Sequence, residues 1–428
     1  MSGGQAAAPG QGSLRPVAAL LAGAALVMMG NGPLATLVSL RLDSLGAGRI
    51  ATGLVMAAYF AGLTLGSLFA YRVVVRAGHI RAFGAFASVT SALALAYPLI
   101  GDPLPWAALR LAEGFCMAGI FICVESWLND HATPATRGKI LALYMICLYS
   151  GQAVGQFLLG LDEGPGQPRV FMLVSVLVSL AVLPVALTRQ APPPLPDVAS
   201  FPARRLYATS PLGLAGTVGS GLILGSVYSL GPVFARAAAG LEAQGAAMFM
   251  SAVIFGGVLL QWPLGRLSDA FDRRRVIVGT LAALTGAAVC LPLFTKGGPA
   301  ALFAAAALFG GFAFALYPLC VAHMNDHLGR HERVAASGGL VLAYSAGATA
   351  GPLLGSAAMS ALGAEGLFVH VACVAGLVLT FALWRMRARA PLPASRQGPF
   401  QPVPGTTPVA APLNPRASPR EAQAAGKA

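Results

Sequence analysis

Charged residues are scarce in this chain. Only 15 Asp and Glu and 28 Lys and Arg are spread over 428 residues, so charge makes up 10% of the sequence, against about 25% in an ordinary soluble domain. A water-soluble fold of this size would lack the polar surface it needs. Reaction signatures are missing too: there is no HExxH, no GxSxG and no phosphate-binding glycine loop ending in Lys-Ser/Thr, so no enzyme is expected. The six cysteines, at 116, 123, 147, 290, 320 and 373, all fall in apolar runs and suggest packing rather than a disulfide framework. The net charge of +13 is dispersed over many short segments, with no basic domain for nucleic acid.

What is present is hydrophobic. Apolar residues make up 56% of the chain and mean hydropathy is +0.72, so the expected solvent is lipid. A hydrocarbon core of about 30 Å takes about 20 apolar residues as a helix. The sequence predicts twelve such spans, at 17–40, 51–71, 82–100, 105–127, 139–161, 170–187, 211–235, 246–265, 276–294, 299–322, 334–360 and 366–384. Residues 1–16 and the Pro- and Arg-containing linker 188–210 lie outside them. Residues 385–428, rich in Pro, Ala and Arg, have too few large apolar side chains to offset the entropy of ordering and are expected to be disordered. With both termini inside, the cytoplasmic segments would hold 22 of the 28 Lys and Arg, which sets the expected orientation. A bacterial inner membrane, with the protein as a monomer in lipid, is the expected setting.

The chain is also duplicated. Asn129-Asp130-His131 returns as Asn325-Asp326-His327; Cys123-Val124 and Cys320-Val321 precede the two copies, and Gly151/Gly155 and Gly347/Gly351 follow them. Pro16, Gly30, Arg41 and Gly62 meet Pro211, Gly225, Arg236 and Gly257 at nearly the same offset. The expected fold is therefore an all-α membrane protein, with a six-helix bundle at 17–187 and a pseudo-symmetric partner at 211–384. A parallel repeat of half a hydrophobic chain is the mark of a secondary transporter, with its solute site where the halves face each other.

Gly265-Arg-Leu-Ser-Asp269-Ala-Phe-Asp272-Arg273-Arg274-Arg275 resembles the cytoplasmic loop signature of the major facilitator superfamily, and Arg76-Ala-Gly78-His79-Ile80-Arg81 is its degenerate first copy. Arg110-x-x-Glu113-Gly114 looks like the superfamily's fourth-helix motif. With the repeated Asn-Asp-His segments and Leu260-Gln-Trp-Pro-Leu-Gly-Arg-Leu, residues 15–385 are similar to the YcaD-like bacterial permease branch. The resemblance implies helices 1, 4, 7 and 10 around a central cavity that opens to each side in turn, and no covalent cofactor. The fifth helix reads Gly151-x3-Gly155-Gln156, without the proline of the drug-antiporter motif, so efflux is not implied by that motif.

Three charged residues are placed deep in the membrane, all on the fourth span. Arg110 and Glu113 share a helix face and can pair, either as a structural ion pair or as solute and proton sites. Glu125, near the inner end, is expected to pair with a loop arginine. Gly30-Asn31-Gly32-Pro33 should loosen the first helix, giving a solute contact or merely a kink. Tyr149, Gln152 and Gln156 form a stripe suited to solute or to interhelical hydrogen bonds; Tyr228 and Tyr317 are weaker candidates. In the loop signatures, Arg76, Gly78, Arg81, Gly265, Asp269, Arg273 and Arg274 are expected to gate, with Asp269 accepting from a neighbouring helix N-terminus and latching the halves, or else forming only a basic surface turn. His323, His327 and His331 recur every fourth residue, but Gly329 and the loop position speak against a metal site. The leading expectation is proton-coupled transport of a small organic solute. The alternatives are export of amphipathic compounds and a membrane sensor or scaffold that does not transport.

Overall fold

In the computed structural model the described residues are 15–133, 135–162, 164, 166–187, 193, 200–329, 331–388 and 397–416. Among the described residues twelve helices are long and apolar enough to cross a membrane. They are α1 Val17–Ser44, α2 Arg49–Phe69, α3 His79–Leu99, α4 Trp106–His131, α5 Arg137–Leu161 and α6 Arg169–Ala186 in the first half. The second half holds α7 Pro211–Ala239, α8 Ala243–Ala270, α9 Arg273–Lys296, α10 Pro299–Asp326, α11 Arg333–Leu362 and α12 Gly366–Ala388. The Asn-Asp-His segments are therefore helical or nearly so: they form the last turns of α4 and α10 rather than free loops.

Helix ends follow local chemistry. Ser210 caps α7 by accepting from Gly213 N at 3.1 Å, with Pro211 in the first turn, and Gly240 closes it in the left-handed region. Asp272 caps α9 through Arg274 N at 3.0 Å.

The duplication reappears as packing. The pairs α1–α5, α2–α4 and α3–α6 of the first half recur as α7–α11, α8–α10 and α9–α12. Without a hydrophobic driving force between helices in lipid, close packing depends on small residues. Gly151 and Gly155 lie so near the carbonyls of Ala25 and Met29 that a Cβ would collide with them; Gly347 and Gly351 do the same against Val218 and Leu222. In the α2–α4 crossing, Gly62 faces the Leu111 carbonyl and Gly114 that of Tyr59. In α8–α10, Gly256 faces Ala307 and Gly310 faces Val253. The working counterpart of Gly62 is thus Gly256, one residue before the expected Gly257. The helices α6, α9 and α12 are the least buried, and with α3 they present side chains such as Leu99, Leu180, Leu293 and Leu377 outward, as lipid-facing supports should.

Among the described residues the halves touch most extensively near one end. There α2 meets α11, with Gly53 against Pro352 O and Ser356 and the Arg49 guanidinium on Met359 O. Ser39 Oγ also donates to Ser229 O at 2.6 Å, and Ser251 Oγ to Ala153 O at 3.1 Å. At the opposite end, which carries both Asn-Asp-His segments, the final described segment fills the space between the halves. Residues 397–416, with a short 3-10 turn at Pro408–Leu413, pack against α4 and α11. This corrects the expectation of a disordered tail: residues 385–388 complete α12, and Val403, Thr407, Val409 and Leu413 are buried. The rest of that tail, linker residues 188–192 and 194–199, and residues 1–14 lie outside the described residues.

Candidate functional site

A cavity of about 150 Å³ lies between the halves, walled by α1, α2, α4, α5, α7, α10, α11 and the tail. The expected set of helices 1, 4, 7 and 10 is therefore too small, because α2, α5 and α11 contribute Tyr59, Tyr149, Gln152 and Tyr344. Helix α1 runs unbroken through Asn31 with Pro33 inside it, so of the two alternatives the chain does not open into a broken helix there. Asn31 nonetheless reaches the cavity and donates Nδ2 to the Tyr59 hydroxyl at 3.2 Å, while its Oδ1 is buried with no partner.

Among the described residues Arg110 is the one charged residue on the cavity wall. Its Nη1 lies 2.9 and 3.0 Å from the two Glu113 oxygens, and its Cζ is 4.4 Å from the centre of the Tyr59 ring. Its Nε is buried with no partner. Glu113 is fully buried behind it, away from the cavity lining, and accepts from the Tyr97 hydroxyl at 3.0 Å. Tyr97 in turn stacks on Phe171 of α6. The predicted pair is formed, but its members differ in access: Glu113 meets the cavity only through Arg110.

Tyr149 and Gln152 face the cavity, and Tyr228 Oη donates to Gln152 Oε1 at 3.2 Å, joining α7 to α5 across the interface. Gln156 does not join them. It starts the 3-10 segment Gln156–Leu161, so the expected stripe breaks at that turn and the side chain is buried elsewhere. Tyr317 lies against the tail, 5.0 Å from the Tyr344 ring, rather than in this cavity. Five aromatic wall residues escaped the sequence reading: Tyr59, Phe60, Phe121, Phe314 and Tyr344. Tyr344 carried a usable signal, since it stands 196 positions after Leu148, which also lines the cavity.

Glu125 corrects another expectation. It is fully buried, and no loop arginine holds it; it accepts from the Tyr144 hydroxyl at 3.0 Å and from the hydroxyls of Thr406 and Thr407 in the tail. A carboxylate two turns above the helix end is too deep for a basic side chain of the adjoining loop, and hydroxyls satisfy it instead.

Asp269 does not cap a neighbouring helix. It accepts from Arg273 Nη2 at 2.9 Å and from the backbone N–H of Phe400 at 2.7 Å. The nearby cap is Asp272, which also pairs with Arg274 at 3.1 Å. Arg273, almost fully buried, spans Asp269 and Asp326 and donates to Gly398 O at 2.9 Å. This network ties α8, α9 and α10 together within one half, so it does not latch the two halves directly. Gly265 leaves the space that the Phe400 ring occupies. In the degenerate first copy, Gly78 adopts φ 82° ahead of α3, and Arg76 and Arg81 are exposed, with no ion pair among the described residues. His323 and His327 stack edge to face at 4.8 Å.

Two six-helix halves around a shared cavity match one protein family. The family model described as Major Facilitator Superfamily matches residues 20–262 and 240–418. The chain belongs to the major facilitator superfamily. Among its relatives is the "Uncharacterized MFS-type transporter YcaD" of Salmonella enteritidis PT4, 29% identical over 391 residues, covering 89% of this chain and 98% of that one. The superfamily fold is shared with the nucleoside transporter NupG, at TM-score 0.70 and 13% identity over 88% of this chain and 99% of that one. It is shared as well with a bacterial homologue of the lysosomal transporter Spinster in an inward-facing, unoccupied conformation, at 0.70 and 16%, over 95% and 100%. The chain is thus a multi-pass membrane transporter of the YcaD-like branch and not an enzyme.

Proposed function

We propose that this transporter moves a small organic solute by alternating access through the central cavity, with proton movement as the drive. One observation carries the reading: a guanidinium, Arg110, is buried at the cavity wall with one N–H unpaired and its only carboxylate partner on the side away from the cavity. Keeping such a group in a membrane costs about 2.5–3.5 kcal/mol on insertion scales, so intramembrane ionisable groups mark pathways. The solute would present an anionic or strongly accepting group to Arg110 and an apolar body to Met28, Met56, Phe60 and Phe314. Protonation of Glu113 would release Arg110 for that contact, which couples the two. A structural neighbour named as a D-xylose–proton symporter makes a proton the first coupling ion to test. We place both termini in the cytoplasm of a bacterium, on the charge distribution, and take the working unit to be a monomer in lipid.

A thermal-shift screen against metabolite libraries identifies the solute, because a ligand of the folded state raises stability; flux in proteoliposomes then tests it. A hit that stabilises the wild type but not Arg110→Lys, and is accumulated only with a proton gradient, is the expected result. Absence of flux for every stabilising hit would leave the sensor or scaffold reading in its place. The largely apolar wall also favours a second reading, export of amphipathic compounds, which predicts hits among lipophilic cations insensitive to Arg110. Orientation is checked separately: Asp197→Cys should resist an impermeant maleimide outside intact cells, and Asp102→Cys should react.

A further inference from the structure

We propose that residues 397–416 are a tethered ligand of the transporter's own vestibule: docked, they close the end of the cavity that carries the Asn-Asp-His segments, and they must leave for that end to open. The segment is bound on both sides of the interface by polar side chains of the two halves. On the first half, Glu125 takes the Thr406 and Thr407 hydroxyls, and Asn129 Nδ2 donates to Val409 O at 2.7 Å. On the second half, Asp326 takes Arg416 Nη2 at 2.7 Å and Gly398 N at 3.1 Å, Asp269 takes Phe400 N, and Arg333 Nη1 donates to Arg416 O at 2.9 Å. Each Asn-Asp-His segment thus contributes a tail anchor. Gly265 is bare where Phe400 sits, and Gly405 passes close to the rings of Tyr344 and Tyr317.

Size supports the same reading. Pro404, Gly405 and Thr406 form part of the cavity wall, and the space left is about 150 Å³, below the roughly 300–1,000 Å³ usual for a small-molecule site. With α2 packed against α11 at the other end, the docked segment obstructs the way to the cavity from this side. It therefore acts as a competitor for the inner part of the cavity and as a brake on exchange. The docking itself does not rest on the solute or on proton coupling, and its test requires neither.

The test uses the full chain in nanodiscs, with the six native cysteines replaced. Single Val341→Cys, in the groove beneath Val403 and Thr407, and single Val403→Cys, in the tail, are reacted with a membrane-impermeant maleimide. Val403→Cys should react at least ten-fold more slowly than the same cysteine in a synthetic peptide of residues 397–416. Val341→Cys should react at least ten-fold faster once Thr406→Ala, Thr407→Ala and Arg416→Ala are added, and the synthetic peptide supplied in trans should restore its protection. Reaction of Val403→Cys at the peptide's rate would overturn the docking, even if the triple variant fails to fold. Equal rates for Val341→Cys with either tail, or no protection by the peptide, would overturn the closure.

Discussion

In α4, Arg110 and Glu113 stand just before Gly114, the residue that meets the Tyr59 carbonyl; in α10, 196 positions on, Ala306 and Phe309 stand just before Gly310, which meets Val253. The helix crossing is the same, yet the filling is opposite in kind. In the first half Glu113 binds Tyr97, which stacks on Phe171 of α6; in the second, Phe309 packs at 5.3 Å against Phe368 of α12. The second half shows that this architecture closes with aromatic packing alone. Buried ion pairs are often replaceable by apolar groups without loss of stability, so the pair in the first half is better explained by what Arg110 offers the cavity than by what it does for the bundle. The Asn-Asp-His segments differ in the same sense: Asp130 is exposed, whereas Asp326 is buried under Arg273 and Arg416.

The strongest challenge to this comparison is to make the first half resemble the second. Arg110→Ala alone strands Glu113 and should cost about 3–5 kcal/mol, seen as poor expression and a large fall in melting temperature. The double variant Arg110→Ala/Glu113→Phe should recover most of that stability yet abolish transport; full transport would reduce the pair to packing. Next in size, Asp326→Asn removes charge-assisted bonds to two arginines and should cost about 2–3 kcal/mol. The matching Asp130→Asn should stay within about 0.5 kcal/mol, as surface changes do, and equal effects in melting experiments would erase the difference between the two segments. Tyr97→Phe removes one neutral donor to a carboxylate and should cost about 1–2 kcal/mol while leaving solute exchange intact. Glu113→Gln keeps an acceptor for Arg110 but no longer neutralises it, so the melting temperature should fall, with proton-driven accumulation lost and solute exchange retained in the folded protein. Normal pH-dependent accumulation by a well-folded Glu113→Gln protein would remove that residue from coupling.

Much of the fold could be read in advance because lipid leaves a chain few options. Backbone groups must be satisfied within each segment, so long apolar runs become helices, and the repeated glycines at 151, 155, 347 and 351 mark where two helices come close enough for a Cβ to be excluded. The Arg110–Glu113 pair was legible for a related reason: residues three apart on a helix share a face whatever surrounds them. Which side of that face is the cavity was not legible. Glu113 lies behind Arg110, Gln156 turns away at a 3-10 segment and Glu125 finds hydroxyls from 281 and 282 residues away, because these outcomes depend on how separate elements are set against each other. The tail is the clearest case. Its own composition cannot sustain a core, and that local property is what the sequence displays. Its order comes from carboxylates and a bare glycine supplied by α4, α8 and α10, a surface that exists only once both halves have folded.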